Sequence, residues 1–208
     1  MSELVVNNLH VFRGERHVLR GVSFAISAGC CLQVTGVNGA GKTTLLRSLC
    51  GFIETESAEL YWRGRHCAFN DLEYHAELGY LGHEAPLKGD LNAAENLRFA
   101  VGLRRKVASA DISAALAEVG AAAFADRPVR RLSAGQRRRV AFAQLKLAGS
   151  RLWLLDEPTT NLDVAGQQMV AGLLTRHLAA GGLVIAATHQ ALQLEAGLLE
   201  RLELGVTP

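Results

Sequence analysis

Apolar and polar residues alternate along two early stretches, Leu4 to Phe12 and Val22 to Ile26. That period predicts two β-strands joined by a turn around Gly14, an antiparallel layer at the edge of a sheet. Cys30 to Thr35 (CCLQVT) is a short apolar run that reads as a buried strand. Leu45, Leu46, Leu49 and Cys50 then recur at helical spacing, and Gly51 supplies the stop. Glu59 to Trp62 and Leu78 to Leu81 predict two further short strands. From Pro86 to about Arg131 the texture changes: the Ala-rich segments Ala93 to Val101 and Ser109 to Val119 read as helices with no strand between them. Ser109 is expected to cap the second, with Ile112, Ala115, Leu116 and Val119 as its apolar face. A helix from about Gln136 to Leu147, a buried strand from Leu152, a helix from Val164 to Leu178 and a last buried strand from Leu183 to Thr188 complete the pattern. The expectation is one α/β domain with a helical insertion.

The chemistry sits between the first buried strand and the helix that follows it. Gly36 to Thr44 reads GVNGAGKTT and fits G-x-x-x-x-G-K-[ST], a phosphate-binding loop. Gly36, Gly39 and Gly41 carry no Cβ, so the backbone can curl with its N–H groups aimed at phosphate oxygens; Val37, Asn38 and Ala40 complete the loop. Lys42 would place its ammonium on the β- and γ-phosphates, and Thr43 would hold Mg²⁺. A helix opening at the loop adds its N-terminal dipole to the anion site. The strand, loop and helix agree, and together predict a nucleoside triphosphate site.

Composition narrows the class. Of 208 residues 49% are apolar and the net charge is +2, a globular profile with no case for nucleic-acid binding. No apolar run is long enough to cross a bilayer, and MSELVVNNLHVF lacks the basic and apolar regions of a secretory signal. Cys30, Cys31, Cys50 and Cys67 show no C-x-x-C spacing; they read as buried core thiols of a reducing compartment, with Cys30 and Cys31 on opposite faces of their strand.

Three further segments carry chemistry. LSAGQ (Leu132 to Gln136) opens a helix with Ser133 as its cap, and Gly135 leaves backbone N–H groups open, a second potential anion site. LWLLDEP (Leu152 to Pro158) ends a buried strand in Asp156 and Glu157, which suits a Mg²⁺-linked aspartate and a base for water. His189 follows the last strand, where ligands bind in open α/β sheets. Arg137, Arg138 and Arg139 read as a solvated face with some ion pairs. Phe12 is either a core residue or a platform for an adenine ring.

In this order the motifs resemble the nucleotide-binding subunit of ATP-binding cassette (ABC) transporters, from Leu4 to His189. The resemblance implies a phosphate-loop ATPase core, a mixed sheet with an antiparallel edge layer, and a helical subdomain over about 86–148. It implies that Lys42, Glu157 and His189 serve catalysis, with Glu157 polarising water and His189 holding the γ-phosphate. Asp156 would support Mg²⁺ with Thr43, and Phe12 would stack on adenine. It implies a homodimer, or a pair with a sister subunit, around two ATP. Ser133, Gly135 and Gln136 of one copy would close on the ATP of the other, and Asp163 would communicate across the dimer.

One departure stands out. Where the family carries a glutamine that reaches the metal or its water, this chain has His83, in YLGHEAPLKGDLNAAENL. An imidazole nitrogen can also accept from metal-bound water, but it is shorter and histidine titrates near neutrality; otherwise His83 only packs in its loop. The same segment looks like the ATPase subunit of the bacterial haem exporter of cytochrome c maturation. That implies a separate membrane-spanning permease subunit, haem-handling membrane proteins as further partners, and a peripheral location on the cytoplasmic face of the inner membrane. An ABC ATPase for another substrate, or a soluble cassette ATPase of the iron–sulfur assembly type, shares the same ATP chemistry.

Overall fold

In the computed structural model, which describes residues 2–103 and 105–205, the chain opens on a hairpin of β1 (Ser2–Arg13) and β2 (Arg16–Ser27). There follow β3 (Cys31–Thr35), α1 (Lys42–Leu49), β4 (Ser57–Trp62), β5 (Arg65–Cys67), α2 (Leu72–Ala76) and β6 (Leu78–Leu81). Three helices come next, α3 (Ala93–Gly102), α4 (Ser109–Glu118) and α5 (Ala134–Ala148). The chain then returns to the sheet with β7 (Leu152–Asp156), α6 (Val164–Ala179), β8 (Leu183–Ala187) and β9 (Leu199–Glu203).

The expected antiparallel layer is a sheet of its own, ordered β2-β1-β4-β5, and the core is a separate five-stranded sheet ordered β6-β7-β8-β3-β9. Every pairing in the second sheet is parallel, so its strands all end on one side. Such a sheet must be covered on both faces, and the alternation along β7 shows how. Leu152 and Leu154 join the antiparallel layer and α1 in one core, while Trp153 and Leu155 join α3 to α6 in the other. Cys31 and Leu32 divide the same way, and Cys30, half-buried, packs on the face opposite Cys31. The buried thiols of Cys31 and Cys50 are pushed up to about 12 by desolvation, so both are inert.

The helical segments form where their patterns place them, with one change at a cap. Ile112, Ala115, Leu116 and Val119 are all buried. Ser109, however, is the first helical residue of α4; Ala108 is the N-cap and no side chain caps it. The Ser109 hydroxyl instead accepts from Arg98 on α3. The stretch from Lys88 to Asn92, downstream of His83, is fixed by Asn96, 3% exposed, whose amide accepts from Lys88 N and donates to the carbonyls of Lys88, Leu91 and Asn92. Asn92 and Glu95 form a reciprocal capping box at the start of α3. KGDLNAAENL, the end of the segment that carries His83, is thus the wiring of a loop onto a helix.

Candidate active site

Between β3 and α1 the backbone turns through Gly36, at φ +142°, and Gly41, at φ +100°. Both positions exclude a side chain for a second reason. A Cβ on Gly36 would lie 2.5 Å from the Leu204 carbonyl oxygen, and one on Gly41 would lie 2.7 Å from Leu19 Cδ2. Gly41 is the N-cap of α1, no side chain caps the helix and its first turn holds no acidic residue. Its first N–H groups are therefore open to an anion. Lys42 folds back over the loop, its ammonium donating to Gly36 O at 2.7 Å and Val37 O at 3.1 Å, with a third donor left over. Val37, Asn38, Gly39 and Thr43 are exposed, whereas Ala40 and Thr44 are buried beneath them.

The parallel strands bring the remaining groups to this end. Asp156, the last residue of β7, lies beside Ala187 of β8, and Ala187 in turn pairs with Val34 of β3. The Thr43 hydroxyl donates to Asp156 Oδ2 at 2.9 Å. Burial pushes the Asp156 carboxyl up; the Thr43 hydrogen bond pulls it down, the Glu157 charge pushes it up, and His83 and Arg138 pull it down. Hard oxygen donors from a hydroxyl and a carboxylate, side by side beneath the phosphate loop, are the set Mg²⁺ takes.

Glu157 sits at φ +46°, a conformation that costs a non-glycine residue about 1–3 kcal/mol. Its neighbours hold it there. Its N–H donates to Ala187 O at 2.8 Å, and its carboxylate accepts from the Thr188 hydroxyl at 3.0 Å and from His189 Nδ1 at 3.1 Å. A carboxylate only accepts, so His189 carries a proton on Nδ1. Lys42, Thr43, Asp156, Glu157 and His83 line one open cleft of about 550 Å³, with Arg13, Arg16 and Arg47 adding positive charge.

Phe12 is 40% exposed and stacks on His17 with ring centroids 4.0 Å apart, so it is not a core phenylalanine. Arg13, beside it, lines the cleft. Ser133, Gly135, Gln136 and Asp163 do not line it. Ser133 and Gln136 close a reciprocal box at the start of α5: Ser133 Oγ accepts from Gln136 N at 3.2 Å, and Gln136 Oε1 from Ser133 N at 3.0 Å. Gly135 is required by packing, since a Cβ there would meet the Asn161 carbonyl oxygen at 2.7 Å. Asp163 caps α6 through Gly166 N at 2.8 Å and pairs with Arg139 at 3.2 Å.

The arginine run is not a uniformly solvated face. Arg139 is engaged by Asp163 and the Val119 carbonyl, and Arg138 is 5% exposed. The Arg138 guanidinium donates to four main-chain oxygens, of Gly82, Asp156, Glu157 and Pro158. Desolvation lowers its pKa to about 10. The helical period held a signal: Arg138 shares a face of α5 with the buried Ala141, Phe142 and Leu145.

An uncapped helix behind a glycine loop, flanked by paired carboxylates at the ends of parallel strands, defines a nucleoside triphosphatase of the phosphate-loop class. The ABC transporter family profile matches residues 19–160. The cytochrome c biogenesis ATP-binding export protein CcmA 2 of Cupriavidus metallidurans is 44% identical over 198 residues, 95% of this chain and 94% of its own. CcmA of Methylococcus capsulatus is 44% identical over 192 residues, 92% of this chain and 93% of its own. A putative ABC transporter ATP-binding protein from Pyrococcus furiosus superposes with a TM-score of 0.82 at 24% identity, covering 96% of both chains. The chain belongs to the ABC transporter family as an ATP-hydrolysing cassette, among the ATP-binding export proteins typified by CcmA. Among the described residues no helix is long and apolar enough to cross a membrane.

Proposed function

We propose that this cassette drives haem export, or release of a haem-loaded chaperone, in cytochrome c maturation, bound to a separate membrane-spanning permease on the cytoplasmic face of the inner membrane. The observation that carries this reading is the 44% identity to a cytochrome c biogenesis export ATPase along 95% of the chain. The site supplies the chemistry. The loop Gly36 to Thr44 cradles the triphosphate of ATP, and Lys42 leaves its own carbonyls for the β- and γ-phosphates. Thr43 and Asp156 hold Mg²⁺, which when bound neutralises phosphate charge. Glu157 takes a proton from the attacking water; its two oxygens still have lone pairs free beside Thr188 and His189. His189 holds the γ-phosphate, kept beside Glu157 by its Nδ1 hydrogen bond. His83, at the cleft wall, stands where the family's glutamine contacts the metal shell, and Phe12 offers its exposed ring to adenine.

Ser133, Gly135 and Gln136 lie outside the cleft of their own chain, which supports a homodimer around two ATP, each closed by the other copy's α5 and sensed through Asp163. Closure on ATP and opening after hydrolysis is then a two-state switch set by contacts to the γ-phosphate. A pull-down of the tagged chain from bacterial membranes, with the partner identified and bound haem read from its absorbance, tests the assignment. A permease co-purifying with haem-handling proteins is expected; recovery only in a cytosolic complex without haem would overturn it.

A further inference from the structure

Arg138 is an expensive way to hold a helix in place. A buried guanidinium gives up its hydration, and its usual compensation is a carboxylate. Here its hydrogen bonds go to main chain: Nε to Pro158 O at 3.2 Å, one terminal nitrogen to Gly82 O at 2.6 Å, the other to Asp156 O at 2.7 Å and Glu157 O at 2.9 Å. Phe142, one turn along α5, lies with its ring 5.8 Å from the guanidinium carbon and keeps the side chain directed at the sheet. One planar fork therefore joins three segments: α5, the end of β7 with its two carboxylates, and the end of β6 just before His83.

Each target bears on the reaction. The Glu157 carbonyl belongs to a residue at φ +46°, whose backbone stays there only because its surroundings over-determine it. Gly82 is the last fixed point before His83. At the other end, Arg138 stands five residues beyond Ser133, on the same rigid helix. We infer that Arg138 is a positioning residue that couples the capped end of α5 to the Glu157 and His83 of its own subunit. The partner's ATP, on engaging Ser133 and Gly135, thereby sets the geometry of the opposite active site. This rests on the two-copy reading above. The fork matters because lysine, a flexible point charge, cannot present several fixed donors to three segments at once.

The test compares Arg138→Lys, which keeps the charge, with Arg138→Met, which removes it. The Lys variant is expected to fold, to bind ATP as the wild type does, and to lose about 10²-fold in kcat, the effect of a displaced reacting group. Added to Glu157→Gln, it should leave ATP-driven dimerisation intact by size-exclusion chromatography. The Met variant should lose at least as much kcat. Wild-type kcat in Arg138→Lys overturns the inference, and so does a loss that follows ATP affinity or dimerisation. Should neither variant fold, hydrogen exchange on the wild-type protein decides. ATP should slow the amides after β7 together with those of α5, and protection confined to α5 overturns the coupling. The two-copy reading fails separately: Glu157→Gln alone would stay monomeric with ATP. The link to the partner's nucleotide then falls, while a kcat loss in Arg138→Lys at unchanged ATP affinity still supports its hold on Glu157.

Discussion

The starts of α1 and α5 both face the question of what satisfies a helix's first N–H groups, and they answer it differently. At α1 the N-cap is Gly41 in a left-handed conformation and no side chain intervenes, so the amides wait for a ligand. At α5 Ser133 and Gln136 satisfy each other, so the helix is stable without one. Among the described residues, the other four α-helices share what these two lack. A carboxylate stands at the cap or in the first turn of α2 (Asp71, Glu73), α3 (Glu95), α4 (Asp111) and α6 (Asp163). A carboxylate there stabilises a helix through its dipole but repels phosphate. The two α-helix starts that forgo it are the two that the proposed dimer places on ATP, one as a permanent cradle and the other as a visiting contact.

The contrast can be broken at either end. The largest effect should come from Glu157→Gln, which keeps shape but removes the base. Phosphate release should fall about 10²- to 10⁴-fold, while ATP now holds the protein as a dimer on size exclusion. Lys42→Ala should lower turnover about 10²- to 10³-fold through the charge it withdraws from the phosphates, and normal hydrolysis would remove α1 as the cradle. Ser133→Ala and Asn92→Ala form a matched pair, since each deletes one capping box. Both should cost about 1 kcal/mol in denaturant unfolding, but only the Ser133 change should also weaken ATP-driven dimerisation; equal effects would make the α5 start an ordinary cap. His83→Gln should change the Mg²⁺ concentration needed for half-maximal turnover, and an unchanged Mg²⁺ dependence would reduce His83 to packing.

The smallest effect touches neither terminus. His177 stacks on Trp153 with centroids 3.9 Å apart and donates from Nε2 to Arg151 O at 3.0 Å. Burial lowers its pKa below 6.5. The unfolded chain therefore takes up a proton that the folded chain declines, and stability drops as pH falls from about 6.5 toward the folded value. In His177→Gln that part of the slope should flatten, measured by denaturant midpoints from pH 7.5 to 5.5, with ATP turnover at neutral pH unchanged.

What sequence made legible was whatever local spacing encodes. The phosphate loop, the Ser133 cap and the apolar run of β7 are each contained in a few neighbouring residues. Long-range pairing was not legible. The strand β9, LERLE, carries charges at three of its five positions and has no run that signals a strand, yet it forms the edge of the core sheet against β3. The short β5 is likewise held by pairing with β4, and α2 by Tyr74, which is buried against Trp62 and donates to Leu49 O at 3.0 Å. Arg138 was hidden by its neighbours: a run of three arginines looks solvated until the helix is docked and one of them points inward.

The placement of β3 has a bearing on how the protein is made. Its partners on either side, among the described residues, are β8 and β9, so residues 31–35 pair with residues 184–187 and 199–203. On a ribosome, the strand that launches the phosphate loop stays without these hydrogen-bonded neighbours until β8 and β9 have emerged. The Leu204 carbonyl that packs against Gly36 arrives later still. Contacts of such sequence separation form slowly and leave apolar edges uncovered in the interim. A nascent chain halted before β8 would hold the phosphate loop, LSAGQ and both carboxylates without the strands that flank β3, so tight nucleotide capture should follow the emergence of β8 and β9.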